Sequence, residues 1–127
     1  MAKARILLVD DEPEILETTR WAFEVNNYEV MTARTGEDAL ALMQNQEPTV
    51  ILADFKLPKM SGAEFLRQVK SVKPEIPVIM ITGLTHQSEE IEKECEDMGT
   101  FTFLRKPLRM EEVLEIVAKA VAHRMKK

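Results

Sequence analysis

The chain has 127 residues, 45% hydrophobic and 31% charged, which fits one soluble domain with a single core. No apolar stretch approaches the ~20 residues needed to span a bilayer. A net charge of −5, from 17 basic and 22 acidic residues, argues against a nucleic-acid binder. The opening MAKARILLVD lacks the apolar core and cleavage site of a signal peptide, and the one cysteine, Cys95, has no internal disulfide partner. Both features predict a cytoplasmic setting with no membrane partner.

Five short apolar runs follow in chain order. Ile6–Val9 stops at three acids, Asp10, Asp11 and Glu12. Pro13 then suits the first turn of a helix, and Asn27, which tolerates φ > 0, can close it. The second run, Tyr28–Thr32, ends in Ala33 and Arg34 and is expected at the sheet edge, off the site. The third, Val50–Ala53, ends abruptly in Asp54. Leu66, Val69 and Val72 then form a helical stripe. The fourth, Val78–Ile81, leads into Thr82 and Gly83. Residues 89–97, EEIEKECED, carry six acids and place Ile91, Cys95 and Met98 at helical spacing, with Gly99 able to close that helix. The fifth, Phe101–Leu104, leads into Arg105, Lys106 and Pro107. Val113, Leu114, Val117 and Val121 form the last stripe. The acidic segment and the basic tail AHRMKK read as solvated helix surface. Helix four is a weaker candidate for a salt-sensitive partner surface, and residues 122–127 for the start of a linker.

Strands alternating with helices predict an α/β fold, a doubly wound five-stranded parallel sheet with helices on both faces. The first and third runs, ILLV and VILA, lack alternation, as central strands buried on both sides should.

In a parallel sheet every strand ends on the same side, so Asp10, Asp11, Glu12, Asp54, Thr82 and Lys106 should meet. Like charges at close range push at least one carboxyl pKa upward, and a divalent cation relieves the strain. A few hard oxygen ligands suit Mg²⁺ or Mn²⁺. Lys106 adds a fixed positive charge and Thr82 a hydroxyl. Metal, ammonium and a carboxylate nucleophile are what phosphoryl transfer to an aspartate needs. Singly these residues say little: Asp10 or Asp11 could cap a helix, Lys106 could be plain surface, and Thr82 could simply end a strand. Their joint placement carries the reading.

The segments ILLVDDE, DFKLPKMSG around Asp54, ITG after the fourth run and the Lys106-Pro107 pair are specific in combination. From end to end the chain closely resembles the receiver domains of bacterial two-component response regulators. The resemblance implies the flavodoxin-like strand order 2-1-3-4-5, with residues 1–127 as a single receiver domain. It makes Asp54 the acceptor of a phosphoryl group from a phosphohistidine on a sensor histidine kinase or a histidine phosphotransfer protein. Asp11 would bind Mg²⁺ directly, Asp10 through water or by holding the first shell, and the Lys56 backbone carbonyl would be the third protein ligand. Thr82 and Lys106 would grip the phosphoryl oxygens. Thr82 would then move inward with Phe103 following, and the face of helix four, strand five and helix five would change partners. Those partners would be a downstream effector or a second copy of the chain.

Phe103 stands where the family often carries tyrosine. Lys56 and Leu84, two residues past Asp54 and Thr82, occupy positions that tune phosphoryl lifetime, and a long lifetime is expected because neither can act as a general base. The domain would catalyse only its own phosphorylation and dephosphorylation. Two neighbouring chemistries fit poorly. Asp-x-Asp hydrolases need a second acid where Lys56 stands, and the acidic DDEPE loop would repel the phosphate that a flavodoxin cradles there.

Overall fold

A computed structural model describes residues 4–83 and 88–125. Its elements alternate as β1 (Arg5–Val9), α1 (Pro13–Val25), β2 (Glu29–Ala33), α2 (Gly36–Asn45), β3 (Val50–Asp54), α3 (Gly62–Val72), β4 (Val78–Thr82), α4 (Ser88–Asp97), β5 (Thr102–Arg105) and α5 (Met110–Met125). The strands are all parallel, in the expected order β2-β1-β3-β4-β5.

Side chains alternate across the sheet. Leu7, Val9, Ile51, Ala53, Val78 and Met80 face Ala39 of α2, Phe65, Leu66 and Val69 of α3, and Cys95 of α4. Ile6, Leu8, Val50, Leu52, Ile79 and Ile81 face Leu16 and Phe23 of α1 and Val113, Val117 and Ala120 of α5. Both faces of β1, β3 and β4 are thus covered, which is why those strands read as unbroken apolar runs.

The ladders reach further than the apolar runs. Asp54 is the last residue of β3 and Thr82 the last of β4, because backbone pairing does not stop where hydrophobicity does. At the other end, Tyr28 falls outside β2: its N–H donates to the Phe23 carbonyl, and its ring meets Phe23 edge-on at 5.7 Å. Asn27 (φ 69°) and Gly99 (φ 96°) hold left-handed conformations just past α1 and α4, as their residue types suggest.

One expectation needs correcting, and one alternative falls away. Val72 does not continue the α3 stripe; it is 67% exposed. Each step of three residues falls about 60° short of a full turn, so two steps from Leu66 carry Val72 off the core face. Nor does an aspartate cap α1. Glu12 holds the N-cap position with no side-chain cap, and Pro13, lacking an N–H, opens the helix.

Gly62, the first residue of α3, follows Ser61, whose hydroxyl accepts the Glu64 N–H. A Cβ at Gly62 would lie 2.6 Å from Phe55 Cα and 2.7 Å from the carbonyl oxygens of Asp54 and Phe55. Those atoms are backbone and cannot rotate away. Gly62→Ala is expected to lower stability by about 1–3 kcal/mol in urea unfolding followed by circular dichroism. Gly36→Ala, whose Cβ meets chiefly the flexible Met60 sulfur at 2.9 Å, should lower it less. Equal losses would show that the β3–α3 segment yields freely.

Candidate functional site

The sheet ladders run one residue past the strands and fix the backbone of the site. The Asp10 N–H donates to the Ala33 carbonyl, the Phe55 N–H to Ile81 and the Lys106 N–H to Thr82, at 3.1, 2.8 and 2.8 Å. The residues at the ends of β1, β3, β4 and β5 are therefore held by the same hydrogen-bond pattern that makes the sheet. They meet where the strand order reverses between β1 and β3, the crevice in which open α/β sheets bind ligands.

Two aspartates fold their loops in the same way. Asp10 Oδ1 accepts the Glu12 N–H at 2.9 Å, and Asp54 Oδ1 accepts the Lys56 N–H at 2.8 Å. Such turns satisfy backbone donors that would otherwise be lost as the chain leaves the sheet. Lys106 closes the site from β5. Its ammonium lies 2.6 Å from Asp54 Oδ2, 2.9 Å from Glu12 Oε1 and 3.7 Å from Asp10 Oδ2. The Lys106-Pro107 peptide is cis.

Asp10, Asp11, Glu12 and Asp54 each offer a carboxylate oxygen, and these oxygens all lie within 4.8 Å of one another. Asp10 and Asp54 are buried, whereas Asp11 and Glu12 are exposed. Asp10 Oδ2 and the buried Thr82 hydroxyl find no hydrogen-bond partner among the described residues. An unpartnered buried carboxylate oxygen beside three further hard oxygen donors fits a small divalent cation.

Electrostatics follow from this packing. Burial pushes the Asp10 carboxyl up to about 6; the Asp54 and Glu12 charges add to the rise, while the Glu12 N–H and Lys106 oppose it. Like-charge repulsion, the cause expected from sequence, is real but secondary to desolvation. Burial also works against the Lys106 ammonium. Hydrogen bonds to Asp54 and Glu12, with the Asp54 and Asp10 charges, outweigh it and hold Lys106 above the ordinary lysine value.

The structure brings Asp10, Asp11, Asp54 and Lys106 together and joins Thr82 to them through the β4–β5 ladder. Lys56 is exposed, with its N–H on Asp54. Phe103 stands apart on β5, half-buried against the α2–α4 side of the core. Leu84 lies outside the described residues. Two residues do more than their sequence positions suggested. Glu12 binds Lys106, and Arg34, expected off the site, reaches back from the edge strand to donate to the Asp11 carbonyl at 3.1 Å.

A family model for the response regulator receiver domain matches residues 6–118. The chain is 34% identical over 110 residues to the response regulator MprA of Mycobacterium sp. (strain KMS), covering 87% of this chain and 47% of that protein. It is also 34% identical over 110 residues to the alkaline phosphatase synthesis transcriptional regulatory protein PhoP of Bacillus subtilis (strain 168), covering 86% and 45%. The chain thus spans about half the length of these curated relatives. Among solved structures, a response regulator receiver domain protein from Clostridium thermocellum superposes with a TM-score of 0.89 at 31% identity, over 96% of this chain and 97% of that one. The matched span takes in the whole cluster from Asp10 to Lys106, and the chain belongs to the response regulator receiver domains of two-component signalling.

Proposed function

We propose that Asp54 accepts a phosphoryl group from a phosphohistidine on a sensor histidine kinase or a histidine phosphotransfer protein, in a Mg²⁺- or Mn²⁺-dependent reaction. The 2.6 Å contact between Lys106 and Asp54 Oδ2 supports this reading most directly. It puts an ammonium beside a carboxylate oxygen at the mouth of the switch-point crevice, where phosphoryl oxygens would gather. An Asp54 oxygen forms the bond to phosphorus, and the P–N bond to the donor breaks with its electron pair passing to the imidazole.

Asp11 and Asp54, the Lys56 backbone carbonyl and Asp10, directly or through water, would hold the cation. Bound there, it supplies charge neutralisation for the phosphoryl oxygens. Lys106 contributes a charge-assisted hydrogen bond on the opposite side, and the Thr82 hydroxyl, buried without a partner among the described residues, is the donor that would turn toward a third oxygen. Phosphorylation adds a charge of about −1.5 to −2 where four acids already crowd. Thr82, followed by Phe103, is the element that would carry this change to the α4–β5–α5 face, where a downstream effector or a second copy of the chain would dock. The domain acts on itself rather than on a turned-over substrate. No helix among the described residues is long and apolar enough to cross a membrane.

Asp54→Asn is expected to take no label from acetyl phosphate or a cognate kinase, because an amide is not a competent nucleophile. Phosphate-affinity electrophoresis reads this directly, and stoichiometric label on the variant would refute the assignment.

The Asp10 pKa sets a second expectation. A folded value of about 6 against 3.8 for the free carboxyl means that the native state binds this proton more tightly. Ionised Asp10 therefore burdens the metal-free fold above pH about 6, and the burden fades as pH falls from about 6 toward 3.8. With chelator present, Asp10→Asn should raise stability at pH 7.5 by up to about 3 kcal/mol, and by less at pH 5. Urea unfolding at the two pH values checks this; a gain that grows at low pH would contradict it.

Phosphoryl lifetime offers a third test. The long Lys56 stem, two residues past Asp54, can lie across the path of an attacking water and supplies no general base. Lys56→Asn is expected to speed loss of the phosphoryl group after donor removal. An unchanged or slower rate would count against shielding.

A further inference from the structure

Lys106 has two carboxylate partners at hydrogen-bond distance. Asp54 Oδ2 lies at 2.6 Å and Glu12 Oε1 at 2.9 Å, while Asp10 Oδ2 at 3.7 Å stands beyond bonding reach. Both oxygens of Asp54 are already engaged, Oδ1 by the Lys56 N–H and Oδ2 by the ammonium. An oxygen that donates its electron density to an ammonium is a weaker nucleophile, so Lys106 has to loosen before Asp54 can attack. Glu12 is built to receive it. Its backbone is fixed by the N–H bond to Asp10 at the start of α1, while its side chain remains 57% exposed and hydrated.

We infer that Glu12 is a positioning residue for phosphoryl acceptance: it draws the Lys106 ammonium off Asp54 Oδ2 and keeps it poised beside the incoming phosphoryl oxygens. The inference rests on the Asp54 reading above. Glu12 makes no bond to phosphorus in this role and acts through Lys106, which stays an ammonium throughout. Asp54 gains the P–O bond, and the donor's leaving group departs with the electron pair of the bond that breaks. Without Glu12 the lysine has a single anionic partner within hydrogen-bond distance, and freeing the nucleophile means parting an ion pair with nothing to take its place.

The test uses Glu12→Ala and Glu12→Gln, each alone and combined with Lys106→Ala. Acetyl phosphate is the donor, at saturating Mg²⁺, and acyl phosphate on Asp54 is followed over hours. Calorimetry sets the Mg²⁺ concentration that saturates each variant, so a weakened cation site does not imitate the effect. Glu12→Ala should label about two- to fivefold more slowly than wild type, the scale of one partly exposed ion pair. Glu12→Gln retains an oxygen acceptor and should lose less. Either substitution should slow Lys106→Ala protein far less than it slows wild type, because the partner through which Glu12 acts is gone. Glu12 variants that label as fast as wild type or faster overturn the inference, as does a slowing that persists undiminished in the Lys106→Ala background. Wild-type protein that takes no label fails the Asp54 reading itself, and the inference with it.

Discussion

Lys106 reaching Asp54 Oδ2 at 2.6 Å is the contact on which the carboxyl edge of the sheet depends. Asp10 and Asp54 are both buried, and two further carboxylates crowd them from the surface. A buried carboxylate without a partner is destabilising by several kcal/mol or gives up its charge. Asp54 has the ammonium and a backbone N–H, whereas Asp10 has a backbone N–H and a lysine too distant to bond. Burial, with the Asp54 and Glu12 charges adding to it, lifts the Asp10 carboxyl to about 6. The site is thus unevenly compensated, with its strain concentrated on the acid deepest under α1. A cation binding beside Asp10 would meet an oxygen that the other described residues leave unsatisfied.

The other end of β3 is anchored just as firmly. Arg124, in the last turn of α5, donates to the carbonyls of Pro48 and Thr49 and pairs with Glu47. Lys73 pairs with Glu47 at 3.0 Å, and Arg5 donates to the Glu47 carbonyl. The Lys73 hydrogen bond, then that of Arg124, holds the Glu47 carboxyl below its ordinary range. Three cations, from β1, the end of α3 and α5, therefore grip the segment that feeds β3, and a strand fixed below can present Asp54 above without drifting in register. Beside its buried Cys95, α4 adds two ion pairs to neighbouring elements. Glu92 pairs with Arg105 of β5 at 2.6 Å, and Glu94 approaches Arg67 of α3 at 3.8 Å. The Arg67–Glu94 pair is exposed on both sides and so is weak and screened by salt, whereas Glu92 is largely buried.

Most of this was legible in the chain because strand ends are marked by abrupt changes of chemistry. Val50–Ala53 followed by Asp54, and Ile6–Val9 followed by Asp10, need no packing information to be placed; parallel topology alone carries both acids to one edge. The strand order came instead from resemblance, since the apolar runs do not say which strands are neighbours. What stayed hidden depends on where long side chains lie. Arg34 leaves the edge strand and still reaches Asp11, and Glu12 turns to Lys106 across 94 positions of sequence. Neither choice is encoded by periodicity. Val72 escaped for another reason: three-residue spacing alone does not keep a side chain on one helix face beyond a single step. The cause of the Asp10 shift was equally out of reach, because burial depth is a tertiary quantity.

The paired turns at Asp10 and Asp54 have a consequence for which ions the site can hold. Each engages one carboxylate oxygen with the N–H two residues ahead, which leaves Asp10 Oδ2 without a partner among the described residues and Asp54 Oδ2 on Lys106. Chelation by both oxygens of one carboxylate would have to compete with those bonds at these two positions. Calcium, with six to eight ligands and a taste for bidentate carboxylates, gains little from such a donor set. Ions of lower coordination number that retain several waters lose nothing by it. The backbone turns, as much as the number of acids, set which oxygens a cation would meet at this edge.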